Sequence, residues 1–207
     1  MPRIVDRGAK KEQMLHAALA VFAERGYHGA TMQSVAERAG VSKGAIYEYF
    51  PSKESLLLES AETWMRAVAN QSIAVLEDKQ GTLRSRVSAF VDCVLHSIDE
   101  WTEMSLGILQ VWAELGASAD GPVRVLMAEL YSESLSRMQC VFDQTVSDGQ
   151  VPAFSTRASA AALLAAIDGL IIQAIVLPEE FHAHVTGGEF VTWCGVLVPA
   201  EKTEVPS

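Results

Sequence analysis

The stretch Thr31–Lys53, TMQSVAERAGVSKGAIYEYFPSK, reads as two short helices joined by a tight turn. Thr31 suits the N-cap of the first helix, because its hydroxyl can accept a hydrogen bond from a backbone N–H that the first turn leaves without a partner. Val35, Ala36 and Ala39 make a narrow apolar stripe, and Gly40 stands where a helix end favours a left-handed residue. Ser42 suits the cap of the second helix, whose inward face takes Ala45, Ile46 and Phe50. Two short helices that cross on small residues, with a glycine in the turn, predict a helix-turn-helix whose second helix fits a DNA major groove.

The side chains left facing outward suit a polyanion. Lys43 and Lys53 can reach phosphates. Thr31, Gln33, Ser42, Tyr47 and Tyr49 carry hydroxyl or amide groups for phosphate oxygens or base edges. Gly44 removes a side chain where backbone must approach a partner closely, at a cost in helix stability. Spacing alone leaves a second reading open: a helical hairpin inside an ordinary bundle, with the same polar groups in water.

The longer run GYHGATMQSVAERAGVSKGAIYEYFPSKESL, Gly26–Leu56, resembles the N-terminal signature of TetR-family transcriptional regulators without a gap. The likeness takes in AGVSKG, the Tyr47-x-Tyr49-Phe50 cluster and the following Ser52-Lys53-Glu54. It implies that the helix from Ser42 to about Glu48 is the recognition helix. By the same resemblance Thr31, Gln33, Ser42, Lys43, Gly44, Tyr47, Tyr49 and Lys53 fall at operator-contacting positions, with Tyr47 and Lys53 as phosphate clamps.

Charge is divided unevenly along the 207 residues. The net charge of −10 looks wrong for a DNA-binding protein until the chain is split. Residues 1–53 hold 8 Lys and Arg against 5 Asp and Glu, a net of +3; residues 54–207 hold 8 against 21, a net of −13. A basic head on an acidic body favours one docking face. The apolar share of 49% with 20% charged residues excludes a disordered chain. Cys93, Cys140 and Cys194 are odd in number and far apart, so neither a metal spacing nor a disulfide framework is implied. MPRIVDRGAKK is basic but no apolar signal core follows it, and a reduced cytoplasm is the expected setting.

Taken in order, the chain reads as an all-α protein of about nine helices. A helix from about Ala9 to Arg25, stopped by Gly26, supports the helix-turn-helix, and its Lys10 and Lys11 suit the DNA backbone. Ser52 caps a long helix from Lys53 to about Asp78, the element that would link head to body as a lever. Leu83–Ile98, Trp101–Leu115, Val123–Ser147, Thr156–Leu177 and Glu189–Val198 follow as further helices. The reading divides the chain into a DNA-binding domain over 1–54, a ligand-binding and dimerisation bundle over 55–198, and a disordered tail over 199–207. Ala158–Leu177 has the roughly 20 residues that span a bilayer. Its central Asp168 and Gln173 favour a buried helix in a soluble bundle instead, so no membrane partner is expected.

The body carries the sensing side of the reading. Ala158, Ala161, Ala162, Ala165, Ala166 and Gly169 let another helix approach closely, either within one subunit or across a two-fold dimer seam. Trp101, Met104, Trp112, Met127 and Tyr131 suit an adaptable pocket, though any one of them could equally pack a core. Asp168, inside an apolar run, is the candidate for a buried polar contact, to ligand or across the seam. The run Ile108–Glu114 with Asp168-Gly169-Leu170 is similar to the C-terminal domain of the TetR subgroup that includes choline-responsive regulators. Carboxylates at Asp92, Glu103, Glu114 and Asp168 point to a cationic or amphipathic inducer.

The sequence argues against two other classes. An enzyme would need more than His182-x-His184, which lacks further ligands at useful spacing, and there is no nucleophile elbow, phosphate loop or H-E-x-x-H. A helix-turn-helix that binds a protein partner should show an apolar or acidic outer face, which the Lys, Ser and Tyr set does not. The expected protein is a ligand-responsive, homodimeric regulator that binds a double-stranded palindromic operator as a repressor, with no catalytic residue, metal or cofactor.

Overall fold

In a computed structural model the protein is described over residues 7–100 and 121–177, with isolated positions 192 and 199. The described residues hold seven helices and no strand: α1 (Arg7–Gly29), α2 (Met32–Arg38), α3 (Lys43–Tyr49), α4 (Lys53–Glu77), α5 (Leu83–Glu100), α6 (Pro122–Ser147) and α7 (Thr156–Val176). The helices placed by sequence over 101–115 and 189–198 lie outside the described residues, which is why seven rather than about nine are seen. The chain divides into two compact units, residues 1–66 with 101–128 and residues 67–100 with 129–207.

In the first unit, α1 contributes Met14, Leu15, Ala18, Val21 and Phe22 to a core completed by Val35, Ala36, Ala39, Ile46 and Phe50. Gly26, at φ 66° and ψ 172°, breaks α1, as the sequence expects. Thr31 caps α2 by accepting from the Ser34 N–H at 3.0 Å, while the Thr31 N–H donates to Ser34 Oγ, a reciprocal capping box. At the other end of α2 the Gly40 N–H reaches Glu37 O and the Val41 N–H reaches Ala36 O. With Gly40 at φ 63°, this is the paired closure that satisfies the last carbonyls of a helix and turns the chain sharply toward α3. Leu56, Leu57 and Ala61 of α4 are also buried, the two leucines in the same core, and the compact unit includes α4 as far as residue 66.

In the second unit, Ile73, Leu76, Leu83, Val87, Phe90, Val91, Met138, Phe142, Leu163 and Ile167 form one core, with Phe154 tilted against Phe142 at 5.8 Å between ring centroids. Burying a side chain such as Phe142, with no exposed surface, is worth about 3–5 kcal/mol against truncation to Ala. The α4–α5 turn is fastened by Arg86, whose Nε and Nη2 donate to the Leu76 carbonyl at 2.9 and 2.5 Å. Burial lowers the Arg86 pKa, and Asp78 opposes that shift. Arg137 grips Glu77 with two parallel hydrogen bonds of 3.0 and 2.9 Å and donates a third to Asn70, joining α6 to α4 within this unit.

Helix α7 is long and apolar enough over 156–174 to cross a membrane by length and composition alone. It buries Ala160, Leu163, Ile167, Leu170 and Ala174 in the core of the second unit.

Candidate nucleic-acid interface and body site

Helix α3 presents Ser42, Lys43, Gly44, Tyr47 and Glu48 to solvent while Ile46 is fully buried beneath it. Ser42 caps the helix through Oγ, which accepts from the Ala45 N–H at 3.1 Å and still has a proton to donate outward. Tyr47 is 46% exposed, unusual for so large a ring and fitting for a group that meets a partner. Gly44 has ordinary helical backbone, not the left-handed kind, and a Cβ added there would meet only Ser42 Oγ, at 3.9 Å. Nothing among the described residues requires glycine at that position.

Around α3 the other sequence-predicted residues are placed as follows. Thr31 is exposed at the start of α2, with its hydroxyl engaged in the cap. Gln33 is exposed and donates to Glu37 Oε1 at 2.7 Å, a bond at the surface that water or a phosphate can exchange. Tyr49 is half-buried, and the Arg7 guanidinium lies 5.5 Å above its ring. Arg7, absent from the sequence-based set, thus joins the same face through a cation–π contact. Lys11 is paired with Glu59 and lies 5.9 Å from the Phe50 ring centroid. Arg38 is paired with Glu24. Lys53 donates from Nζ to the carbonyls of Tyr27 and Ala30 at 2.7 and 3.1 Å, and lies 4.3 Å from the Tyr27 ring centroid.

Of the residues proposed for a ligand pocket, Met127, Tyr131 and Asp168 are among those described. Trp101, Met104 and Trp112, with Glu103 and Glu114, lie outside the described residues. Met127 packs against the core of the first unit beside Val123. Tyr131 and Asp168 do meet: the Tyr131 hydroxyl donates to Asp168 Oδ2 at 2.9 Å, tying α6 to α7. The sequence offers Asp168 as a contact to ligand or across a dimer seam; within its own chain it accepts from Tyr131. Burial raises the Asp168 pKa against the opposing pull of that hydrogen bond. Burial, then the neighbouring carboxylate, pushes the Tyr131 hydroxyl well above its ordinary value. Asp92 is exposed. Among the described residues no three His, Cys, Asp or Glu gather as metal ligands, and His182 and His184 lie outside them.

Two family descriptions match the chain: "Bacterial regulatory proteins, tetR family" over residues 14–60, and "BetI-type transcriptional repressor, C-terminal" over residues 83–186. The chain belongs to the TetR family of transcriptional regulators. It is a DNA-binding regulator that responds to a ligand, built from a helix-turn-helix head and a BetI-like body.

TetR-family relatives match it over most or part of its length. The regulator BetI of Escherichia coli is 29% identical over 202 residues, 93% of this chain and 97% of that one. The activator FasR of Mycolicibacterium smegmatis is 38% identical over 93 residues, 44% of this chain and 42% of that protein. Among solved structures, a transcriptional regulator of Pseudomonas aeruginosa superposes with a TM-score of 0.73 at 22% identity, covering 94% of this chain and 91% of that one. FadR of Bacillus subtilis, solved with stearoyl-CoA, superposes with a TM-score of 0.69 at 18% identity, covering 91% and 97%. At those identities the structural likeness is one of fold.

Proposed function

We propose that this TetR-family chain is a cytoplasmic, homodimeric repressor, released from a palindromic operator when a small molecule enters its C-terminal bundle. The observation that carries the reading is the outer face of α3, where exposed Ser42, Lys43 and Tyr47 surround a glycine that the protein itself does not need. Phosphate contacts fix the register of such a helix and base-edge contacts give it sequence preference. Thr31, Gln33, Ser42, Lys43, Gly44, Tyr47 and Tyr49 make the interface in this reading, within a DNA-binding domain over 1–54. Lys53, the eighth residue of the set by resemblance, is already bonded inside the head.

The ligand and dimer domain occupies 55–198 in this reading, with a tail from 199. The match of residues 83–186 to the BetI-type transcriptional repressor description favours repression over activation, since the activator FasR shares less than half of the chain. A cationic or amphipathic inducer is favoured by a half-buried carboxylate, Asp168, inside the apolar run of α7. The inducer must bind the released state more tightly than the operator-bound state, because equal affinity for both would shift nothing.

A gel-shift titration on the duplex flanking the protein's own reading frame tests the reading. Retardation should appear at low salt, sharpen for one palindromic site, and be relieved by one member of a panel of quaternary ammonium and acyl compounds. Equal retardation of every duplex, or none, sinks it.

A further inference from the structure

Lys53 opens α4 directly after the Phe50-Pro51-Ser52 link from α3. An ammonium carries three N–H donors, and here two are spent on backbone carbonyls, those of Tyr27 and Ala30. The face of the Tyr27 ring lies against the same charge. Both carbonyls belong to the short link that begins where Gly26 breaks α1 and ends at Thr31, the cap of α2. A cation beside the carbonyls at a helix end also suits the dipole there. The amine therefore fastens the first turn of α4 to the segment that leads into α2. Phe50, fully buried, anchors the other path from α3 into α4.

We infer that Lys53 is a positioning residue, holding the first turn of α4 to the 27–30 link so that α2 and α3 are presented together, rather than a phosphate clamp. It acts through other groups, and the role rests on α3 being the helix that reads DNA. A clamp would have to withdraw the amine from both carbonyls and from the Tyr27 ring, or serve phosphate with its one remaining N–H.

Limited reductive methylation of the full-length protein, read lysine by lysine by mass spectrometry, separates the two roles without any substitution. Lys53 should react slowly in the free protein and no more slowly on a duplex enriched by this protein from a random-sequence pool. Lys43 should become slow only on that duplex. Fast modification of Lys53 in the free protein, suppressed by DNA, overturns the inference.

The second measurement is Lys53→Met, studied at temperatures where circular dichroism shows it folded. Affinity for the enriched duplex should fall about ten-fold, the worth of one charged hydrogen bond. Its salt slope should match that of the wild type, while Lys43→Ala loses about one unit of slope. A lost unit of slope in Lys53→Met restores the clamp, and undiminished affinity reduces Lys53 to a structural tie; either overturns the positioning role. If Lys53→Met does not fold, the methylation pattern decides. If the wild-type protein enriches no duplex at all, the DNA reading fails and takes this inference with it, an outcome distinct from a change of slope.

Discussion

Gly44 shows a residue whose stability and function pull in opposite directions. Its backbone is helical and the space a methyl group would fill is open. Alanine there removes the entropic cost of a glycine in a helix, about 0.5–1 kcal/mol. Gly44→Ala should thus raise Tm by about 1–4 °C for a chain of this size. The same methyl group sits on the outward face of α3, where duplex backbone must come close, so operator affinity should fall. Thermal unfolding and a binding titration on one preparation check both halves. A stabilised variant with unchanged affinity would show that α3 docks some other way. Legibility at this scale followed locality. Thr31, Ser34, Gly40 and Ser42 act within five residues of themselves, so propensity and spacing disclose their roles. Lys53 bonds to carbonyls 23 and 26 positions back, and no periodicity announces such a partner.

At the scale of elements, helix extents follow from apolar spacing and stop signals, and α3 to α7 begin and end within about one or two residues of where the sequence puts them, the usual uncertainty of a helix end. What joins the elements is less legible. Arg86 sits on a helix read for its apolar stripe, yet it closes the end of α4 from ten residues away. Met127, on the first turns of α6, packs against the core of the first unit, a contact that its own spacing does not announce. The Tyr131–Asp168 bond between α6 and α7 has a measurable consequence. Burial raises the Asp168 pKa in the folded state, so its contribution to stability is full below the ordinary value of 3.8 and is lost as pH rises through the raised one. Asp168→Asn keeps an oxygen for the Tyr131 hydroxyl and removes the charge. It should match the wild type in acid and exceed it at neutrality, by less than about 1 kcal/mol because half the site is open to water. Urea unfolding across that pH range is the measurement. An Asn variant weaker at neutral pH would mean that the carboxylate is matched by a charge not among its partners here.

For the whole molecule, the separation of charge and the outer face of α7 point to one arrangement. A head of +3 and a body of −13 leave only the helix-turn-helix face attractive to a duplex, and short α3 alone reads few base pairs. The proposed dimer would supply two heads, and α7 offers a surface that could pair them. Ala158, Ala161 and Ala165 are exposed along one stripe that continues to Ile172, 50% exposed, and Val176, 66% exposed. Small residues allow close approach at one end, and large aliphatic groups wait for cover at the other. Fully covering an aliphatic side chain such as Ile172 contributes about 1.5–3 kcal/mol, and a two-fold pairing would count each contact twice. Ile172→Lys places a charge in the middle of that stripe without touching the buried residues Leu163, Ile167 and Leu170 on the inner side. It should leave helix content intact and convert a dimer to a monomer in sedimentation. Operator affinity should then fall by more than ten-fold, since each half-site must be held without its partner. A variant that still sediments as a dimer would place the pairing surface elsewhere on the body, whereas a monomer with undiminished operator affinity would mean that a single head reads the site.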